Sequence, residues 1–307
     1  MVQKVEKIWF DGKFVDWDKA TVHVLTHALH YGSGIFEGIR FYKSTDGRPA
    51  VFRLNDHIDR FFESALIMRI DIPYTREDII KACVETARIS KLDDGYIRPL
   101  SFIGYGAMGV YPADNPINTV IAAWPWGKYL GEEGLKNGIR TKVSSFARHH
   151  VNVGMTKAKV CGQYTNSTLA KREAIELGCD EAILLDTEGY VSEATGENIF
   201  IVKKGIIKTT SLTSILSGIT RDTIIQIAED KKYELREQKF TRDEMYAADE
   251  VFLCGTAAEL TPIREIDNRM VGVGKPGPIT LDLQKTYFDT VIGKIEKYKK
   301  WLTYIEK

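Results

Sequence analysis

The sequence predicts an α+β fold organised as two domains. The chain has 307 residues, of which 44% are hydrophobic and 27% are charged, as expected for a folded protein with a large core. This length exceeds that of one average domain. Short strands and amphipathic helices follow one another without strict strand–helix–strand alternation, and this order favours α+β domains.

The first part of the chain opens with a hairpin. The dipeptide "DG" separates the apolar runs "KIWF" and "KFVDW" and accepts the positive φ angles of a type I′ turn. A helix is predicted in "NDHIDRFFESALIM", with Asn55 as its N-cap, and another in "TREDIIKACVETARI", where Thr75 and Asp78 form a capping box. The strands "YIRPLSFIGYG" and "NTVIAAWPW" complete a predicted N-terminal domain of residues 1–126.

A short linker and a second domain are predicted next. Residues 127–136, "GKYLGEEGLK", are rich in glycine and charge and lack a clear period, so we expect an interdomain linker. Residues 137–307 then contain predicted strands in "RTKVSSF", "EAILLD" and "NIFIVKKG", and helices in "TRDTIIQIAED" and "TRDEMYAAD". The last strand ends in a turn, "EVFLCGTAAEL".

Charge and cysteine usage limit the function. Lys+Arg and Asp+Glu both number 42, and a net charge of zero argues against non-specific binding to nucleic acid. The sequence has neither an apolar run of membrane length nor a signal-peptide pattern, and its four cysteines lack C-x-x-C spacing. We therefore expect a cytoplasmic protein with no metal site, no nucleic-acid partner and no membrane association.

The segment Gly104–Gly109, "GYGAMG", fits the dinucleotide-binding pattern G-x-G-x-x-G. That function requires a helix to begin at this point, yet the next residues, "VYPADNP", contain two prolines that end a helix within a turn. The following strand ends in "WPW" rather than in the acid that binds a ribose. We expect a glycine-rich loop, with a dinucleotide-dependent oxidoreductase as the alternative from another functional class.

Two lysines in "GMTKAKVCGQYTNS", Lys157 and Lys159, raise the question of whether one of them does chemistry. On an extended segment both side chains point to the same side, so periodicity does not distinguish them. The residues after Lys159, "VCG", solvate a charge poorly, and an amine kept from water can attack a carbonyl. A solvated pair of surface lysines is the alternative.

Three further segments carry groups suited to binding anions or to presenting a carboxylate. In "SGITRD", Gly218 precedes a helix expected near Thr220, and the free amides of a helix start bind phosphate. In "CGTAAE", a strand ends in a turn whose N–H groups suit a second anion. In "EATGEN", either Glu193 or Glu197 can face a ring nitrogen. Each segment alone is explained by capping or by a solvated turn. Together with a lysine they match the needs of pyridoxal phosphate, which are an amine for the aldehyde, a cradle for the phosphate and a carboxylate for the pyridine nitrogen.

The chain resembles the branched-chain amino acid aminotransferases of the fold-type IV pyridoxal phosphate enzymes. The resemblance covers nearly the whole chain and rests on "HALHYGSGIFEGIR", "YIRPL", "AAWPWGKYLG", "EATGENIF", "LSGITRD" and "EVFLCGTAAELTPI". It implies two α/β domains of the D-amino acid aminotransferase-like architecture, with pyridoxal 5'-phosphate as cofactor. It also implies transamination of leucine, isoleucine and valine with 2-oxoglutarate.

The resemblance assigns roles to individual residues. The family's cofactor lysine stands a few residues before a tyrosine, which selects Lys159 over Lys157 and places Tyr164 at the ring hydroxyl oxygen. Glu193 is expected at the pyridine nitrogen, with Glu197 in support. The phosphate ligands implied are Arg60, Ile219, Thr220 and Thr256. The substrate-binding residues implied are Tyr31, Phe36, Tyr96, Arg98, Trp126, Tyr129, Ala257 and Ala258.

Arg98 is the residue expected to distinguish glutamate from aliphatic substrates. It lies two residues from Tyr96, so on a strand both side chains point to the same side. A second substrate carboxylate needs a charged partner, because burying a lone charge is costly. The alternative is that Arg98 forms an ion pair with an acid such as Glu37.

Other members of the superfamily remain alternatives. These are D-amino acid aminotransferase and aminodeoxychorismate lyase, whereas "YGSGIFEGIR" and "GITRD" favour the L-branched-chain type. Because the family forms dimers or larger assemblies, we expect a homo-oligomer whose other partners are small amino acids and 2-oxo acids.

Overall fold

The computed structural model describes residues 2–112 and 114–306. Helices and strands are mixed along the chain, as the α+β prediction requires. The described strands are β1 (Lys7–Phe10), β2 (Lys13–Asp16), β3 (Gly34–Phe36), β4 (Ile39–Lys43), β5 (Pro49–Phe52), β6 (Gly95–Ile103), β7 (Ile117–Trp124), β8 (Ile139–Val143), β9 (Glu181–Leu185), β10 (Val191–Ala194), β11 (Asn198–Lys203), β12 (Ile206–Thr209), β13 (Leu235–Glu237), β14 (Glu250–Gly255), β15 (Glu259–Ile266), β16 (Arg269–Met270) and β17 (Leu302–Tyr304). The described α-helices are α1 (His27–Tyr31), α2 (Leu54–Met68), α3 (Arg76–Ser90), α4 (Gly131–Asn137), α5 (Val151–Gly154), α6 (Tyr164–Glu176), α7 (Ile219–Asp230), α8 (Arg242–Tyr246) and α9 (Pro278–Val291).

The chain forms two compact units. The first comprises the described residues up to Gly127, the segment Ala158–Gln163 and the described residues from Thr290 onward. The second comprises Lys128–Lys157 and Tyr164–Asp289. Each unit contains one sheet, so each has its own core.

The unit boundaries depart from the predicted domains at three places. The described residues from Thr290 onward, expected in the C-terminal domain, belong to the first unit. The segment 127–136, predicted as a linker, includes most of α4, whose Leu135 is buried in the second unit. A seven-residue helix with two glycines has too few apolar positions to show a helical period, so the sequence did not reveal it. Lys159, expected in the C-terminal domain, lies in the first unit, because Val160 pairs there with Ile35. Local sequence patterns do not show such a distant pairing.

The sheet of the first unit has the strand order β17-β5-β4-β6-β7-β1-β2, and β3 also pairs with β6. The hairpin turn is as predicted, since φ is 45° at Asp11 and 87° at Gly12. The predicted capping box between Thr75 and Asp78 is also present. The predicted N-cap of α2 was wrong, because the buried Leu54 is already helical.

The sheet of the second unit has the strand order β10-β9-β8-β15-β14-β11-β12-β13, and β16 also pairs with β15. Its core is formed by buried aliphatic side chains of the central strands, such as Ile199, Val251 and Ile263. The strands β11 and β14 are antiparallel neighbours, as are β14 and β15. This arrangement brings the start of β11 beside the turn that joins β14 to β15, where two of the predicted site segments lie.

The glycine-rich segment after β6 contains no helix within residues 104–112, as predicted. A Cβ on Gly106 would lie 2.4 Å from Oδ1 of Asn115, so the Asn115 side chain occupies that space. The same Oδ1 accepts a hydrogen bond from the N–H of Ala107.

In the part of the chain that is described, no helix is long and apolar enough to cross a membrane. Nor do any three His, Cys, Asp or Glu side chains among these residues form a group that could hold a metal ion.

Candidate active site

The backbone of Lys159 is held on both sides within the first unit. Its N–H donates to the hydroxyl of Ser64 at 3.0 Å, and its C=O accepts from the N–H of Phe36 at 3.1 Å. The following residue, Val160, pairs with Ile35 of β3. The lysine therefore lies on a short extended segment that is fixed by β3 and α2.

Arg98 lies among aromatic rings. Its guanidinium carbon is 4.6 Å from the ring centre of Phe36, 5.4 Å from that of Tyr96 and 5.7 Å from that of Trp124. Its buried Nε has no hydrogen-bond partner among the described residues. The Nζ of Lys159 is 5.0 Å from the same Phe36 ring, so both cations lie close to one aromatic side chain.

A completely buried carboxylate, that of Glu37, holds Arg60. Its Oε1 accepts from Arg60 Nε at 2.7 Å, and its Oε2 accepts from Arg60 Nη2 at 2.9 Å and from His57 Nδ1 at 2.6 Å. Burial alone would raise the pKa of Glu37, but Arg60 and His57 hold that pKa well below its ordinary value. Glu37 is thus paired with Arg60 and His57, and the ion pairs of the described residues include none between Glu37 and Arg98.

The other aromatic residues predicted in the first unit fall into two places. The ring of Tyr96 is 4.5 Å from that of Trp126, and a Cβ on Gly38 would lie 1.7 Å from the Tyr96 hydroxyl. These two rings therefore belong with the aromatic residues around Arg98. Tyr31 lies at the end of α1, is 45% exposed, and stacks on His27 with ring centres 4.4 Å apart.

In the second unit, the carboxylate of Glu193 has partners from three segments. Its Oε1 is 2.9 Å from Nε of the buried Arg148. Its Oε2 accepts from the N–H of Leu216 at 3.2 Å and from Nδ2 of Asn198 at 3.3 Å. Arg148 also donates to the hydroxyl of Ser167 on α6 at 3.4 Å. The carboxylate is therefore fixed between a cation and two neutral donors.

The start of α7 is close to this carboxylate, because Asn198 contacts both. The Nδ2 of Asn198 donates to the carbonyl of Leu216 at 3.2 Å. A Cβ on Gly218, the N-cap of α7, would lie 1.9 Å from Asn198 Oδ1, so a larger residue there would displace the Asn198 side chain or the helix start. The first helical residues, Ile219 and Thr220, are buried. The first N–H groups of a helix have no partner within the helix and favour an anion.

The turn between β14 and β15 lies beside the "EATGEN" segment. A Cβ on Gly255 would come within 3.1 Å of the carbonyl oxygen of Gly196. The turn residues Thr256 and Ala257 are half-buried, and Ala258 is buried. The small residues predicted for anion binding are therefore grouped at the same end of the sheet as Glu193 and the start of α7.

Two tyrosines complete the residues predicted in the second unit. Tyr164 is the half-buried first residue of α6, three residues before Ser167, which contacts Arg148. Tyr129 is 40% exposed, and its ring centre lies 5.2 Å from Nζ of Lys171 on α6. Both tyrosines are thus associated with α6.

Lys157 has a different environment from Lys159. Its half-buried ammonium group donates to the carbonyl oxygens of Leu212 and Ile215, at 2.9 Å for the latter. Burial lowers the pKa of Lys157. This lysine therefore ties a loop of the second unit to the segment that precedes Lys159.

The two acids of "EATGEN", Glu193 and Glu197, lie in different surroundings. Burial raises the pKa of Glu197 to about 8, and the nearby carboxylate of Glu181 contributes to the increase. Glu181 itself is 2.6 Å from Lys171 Nζ and accepts from the hydroxyl of Thr195 at 2.7 Å. Burial and Glu181 therefore favour the protonated form of Glu197, whereas Glu193 is paired with a cation.

The comparisons with known proteins agree with this chemistry. The chain matches the family model of amino-transferase class IV over residues 34–266. It is 52% identical over 299 residues to the branched-chain-amino-acid aminotransferase of Pseudomonas aeruginosa, with 97% of each chain covered. Two solved structures of the T.th. branched-chain amino acid aminotransferase are also similar. The one with pyridoxamine 5'-phosphate has 48% identity and a TM-score of 0.96, and the one complexed with N-(5'-phosphopyridoxyl)-L-glutamate has 46% identity and a TM-score of 0.94; each alignment covers 99% of both chains.

The chain therefore belongs to the class IV aminotransferases, a family that depends on pyridoxal phosphate. The predicted family and the fold-type IV architecture are confirmed.

Several residues around the site were not predicted. His57 lies three residues before Arg60 on α2, a spacing that puts both on one helix face and that signals a shared partner. Glu37 appeared in the sequence only as a possible partner of Arg98. Arg148 and Asn198 gave no signal, because their roles depend on contacts between distant segments.

Proposed function

We propose that this chain is a pyridoxal 5'-phosphate-dependent branched-chain-amino-acid transaminase that transfers the amino group of leucine, isoleucine or valine to 2-oxoglutarate. The proposal rests on the environment of Lys159. Its backbone is hydrogen-bonded to Ser64 and Phe36, and its amine lies near the ring of Phe36. Belonging to the class IV aminotransferases gives such a lysine its chemical role. The similarity to branched-chain enzymes supports the substrate class.

The donor set fits the cofactor. In the second unit, the N-cap of α7 is a glycine, and Asn198 Oδ1 lies where its Cβ would be; a helix start of this kind suits phosphate. The buried, ion-paired Glu193 suits a protonated ring nitrogen. We assign Ile219, Thr220 and Thr256 to the phosphate and Tyr164 to the ring hydroxyl oxygen. The family resemblance also assigns Arg60 to the phosphate.

The chemistry is divided between cofactor and protein. Pyridoxal 5'-phosphate, when bound, supplies a covalent link to the substrate amine and a sink for the electrons of the α-carbon. Lys159 Nζ would hold the cofactor and, once displaced by the substrate amine, would act as the base that moves the proton from the substrate α-carbon to the cofactor carbon. Glu193 keeps a proton on the ring nitrogen, and the amides near Ala257 and Ala258 bind the substrate α-carboxylate with the Tyr96 hydroxyl.

Arg98 explains how both an aliphatic and an acidic side chain are accepted. Its surroundings, the rings of Phe36, Tyr96 and Trp124, suit a leucine side chain. Its buried Nε lacks a hydrogen-bond partner among the described residues and can donate to the distal carboxylate of glutamate. We assign Tyr31, Trp126 and Tyr129 to the remaining side-chain contacts.

We also propose a homo-oligomer in the cytoplasm. The first unit exposes several large apolar side chains on two segments that are held together by a hydrogen bond between His27 and the carbonyl of Gly109. These side chains are Val24, Leu25, Leu29, Met108, Val110 and Tyr111. Exposed apolar surface of this kind is typical of a subunit contact. Light scattering of the purified protein measures the number of subunits.

A transamination assay tests the proposed function. The purified protein is expected to be yellow, to lose that colour with L-leucine, and to form glutamate from leucine and 2-oxoglutarate. A preference for D-amino acids, or formation of an aminobenzoate from aminodeoxychorismate, would favour the alternative superfamily activities. Retention of a nicotinamide cofactor without transamination would support the oxidoreductase instead.

A further inference from the structure

We infer that Glu37 and His57 are positioning residues for Arg60, which they hold in the orientation that binds the cofactor phosphate. The inference rests on the proposed function, because it takes Arg60 as a phosphate ligand. It adds a buried carboxylate and a buried histidine to the residues that determine cofactor affinity. Neither side chain was assigned a role in the reaction above.

The contact between Glu37 and Arg60 fixes the plane of the guanidinium group. Nε and Nη2 each donate to a different carboxylate oxygen, at 2.7 and 2.9 Å. Such a two-point contact sets orientation as well as distance. A guanidinium group has five N–H donors, and a single carboxylate does not use all of them. Pairing with Glu37 is therefore compatible with binding a phosphate.

Glu37 is itself rigidly placed. It follows β3 directly, and its N–H donates to the carbonyl of Pro99 on β6 at 2.9 Å. Its Oε2 also accepts from His57 Nδ1 at 2.6 Å, and this bond fixes the carboxylate plane. Both side chains are almost completely inaccessible to solvent.

One face of α2 connects this arrangement to the cofactor lysine. His57, Arg60 and Ser64 follow one another at spacings of three and four residues, so they lie on the same side of the helix. The first two contact Glu37, and the third accepts from the backbone of Lys159 at 3.0 Å. Because Glu37 contacts Arg60 and His57 but Ser64 holds Lys159, a substitution of Glu37 is expected to alter the contact of Arg60 with the phosphate more than the position of Lys159.

A purely structural ion pair makes a different prediction. If Glu37 only neutralised a buried arginine, its removal would weaken all ligands of the site equally, or would lower stability without selectivity. If it orients Arg60, its removal weakens a ligand that carries the phosphate and spares one that lacks it. Pyridoxal 5'-phosphate and pyridoxal form this matched pair of ligands.

The experiment is a double-mutant cycle on the full-length apoprotein. Dissociation constants for pyridoxal 5'-phosphate and for pyridoxal are measured by titration for the wild type, Glu37→Gln, Arg60→Ala and the double variant. Glu37→Gln is expected to weaken binding of the phosphorylated ligand roughly tenfold and that of pyridoxal less than about twofold. In the Arg60→Ala background the same substitution is expected to leave the ratio of the two constants unchanged.

His57 supplies a milder pair of variants in case Glu37→Gln does not fold. His57→Leu removes the donor to Glu37 and is expected to shift the ratio about threefold in the same direction. His57→Asn keeps an N–H donor near the position of Nδ1 and is expected to restore most of the loss. Thermal unfolding of each apoprotein shows whether the variants are folded.

Two results would contradict the inference in distinguishable ways. An equal loss of affinity for both ligands in Glu37→Gln and in His57→Leu would show that these residues only support the fold. An unchanged ratio in Arg60→Ala would show that Arg60 itself does not bind the phosphate, which would reject that part of the proposed function and the inference with it.

Discussion

The two units provide different kinds of groups. The first provides charged side chains, namely Lys159 on a short segment beside β3, Arg60 on α2 and Arg98 on β6, each fixed by a partner or surrounded by aromatic rings. The second provides mainly backbone N–H groups and small residues at a helix start and a turn, with Glu193 as its main charge. The difference indicates that substitutions that remove charge should be most damaging in the first unit, whereas added bulk should be damaging in the second.

Replacement of Lys159 is expected to have the largest effect. Lys159→Ala removes both the attachment and the base, so turnover should fall by at least about a thousandfold. Lys157→Ala is the matched control, because among the described residues that lysine donates to the loop carbonyls of Leu212 and Ile215. Steady-state rates with leucine compare the two variants. Similar losses in both would contradict the assignment.

Arg98→Leu is expected to separate the two substrate classes. Losing the charged partner should reduce the single-turnover rate with glutamate about a hundredfold and the rate with leucine less than about threefold. The aromatic surroundings remain and can still contact an aliphatic chain. Equal losses with both donors would show that Arg98 supports the fold.

Glu193→Gln keeps the shape of the side chain and removes its charge. Without the carboxylate, the pKa of the cofactor's ring nitrogen should fall and its protonated form should be less populated. We therefore expect kcat to fall about thirtyfold and cofactor affinity to change by a smaller factor. The ultraviolet-visible spectrum and the rate, measured on the same sample, separate these two effects. A fully active variant would reject the role.

Gly218→Ala tests whether the second unit is sensitive to bulk. The added Cβ would lie 1.9 Å from Asn198 Oδ1, so Asn198 or the start of α7 must move, and the affinity for pyridoxal 5'-phosphate should fall about tenfold. Gly127→Ala is the control, because a Cβ there meets no atom within 4 Å. Unchanged affinity in Gly218→Ala would argue against phosphate binding at this helix start.

The buried Glu197 is expected to affect stability rather than rate or affinity. Its pKa is raised to about 8 in the folded protein, so the folded state retains a proton that the unfolded state loses above about pH 4.5. The contribution of this group to the free energy of unfolding should therefore decrease by a few kcal/mol as pH rises from about 4.5 to about 8. Glu197→Gln lacks this dependence, so its stability relative to the wild type should increase over that range in chemical denaturation. A constant difference across the range would show that Glu197 is ionised in the folded state.

The sequence predicted the local features better than the distant ones. The "DG" turn and the capping box at Thr75 depend on adjacent residues, and both are present. The segments of the second unit were recognisable because phosphate sites use glycine and helix starts in fixed local patterns. The partners of Arg60 and Glu193 were not predictable in the same way, because Glu37 and Arg148 reach them through tertiary contacts.

The identity of the cofactor lysine tests the account most directly. Reducing the holoenzyme with borohydride makes the link between the cofactor and its lysine permanent, and mass spectrometry of the digested protein then locates the label. The account predicts a single labelled peptide with the cofactor on Lys159. A label on Lys157, or no labelled lysine in a protein that transaminates, would contradict it.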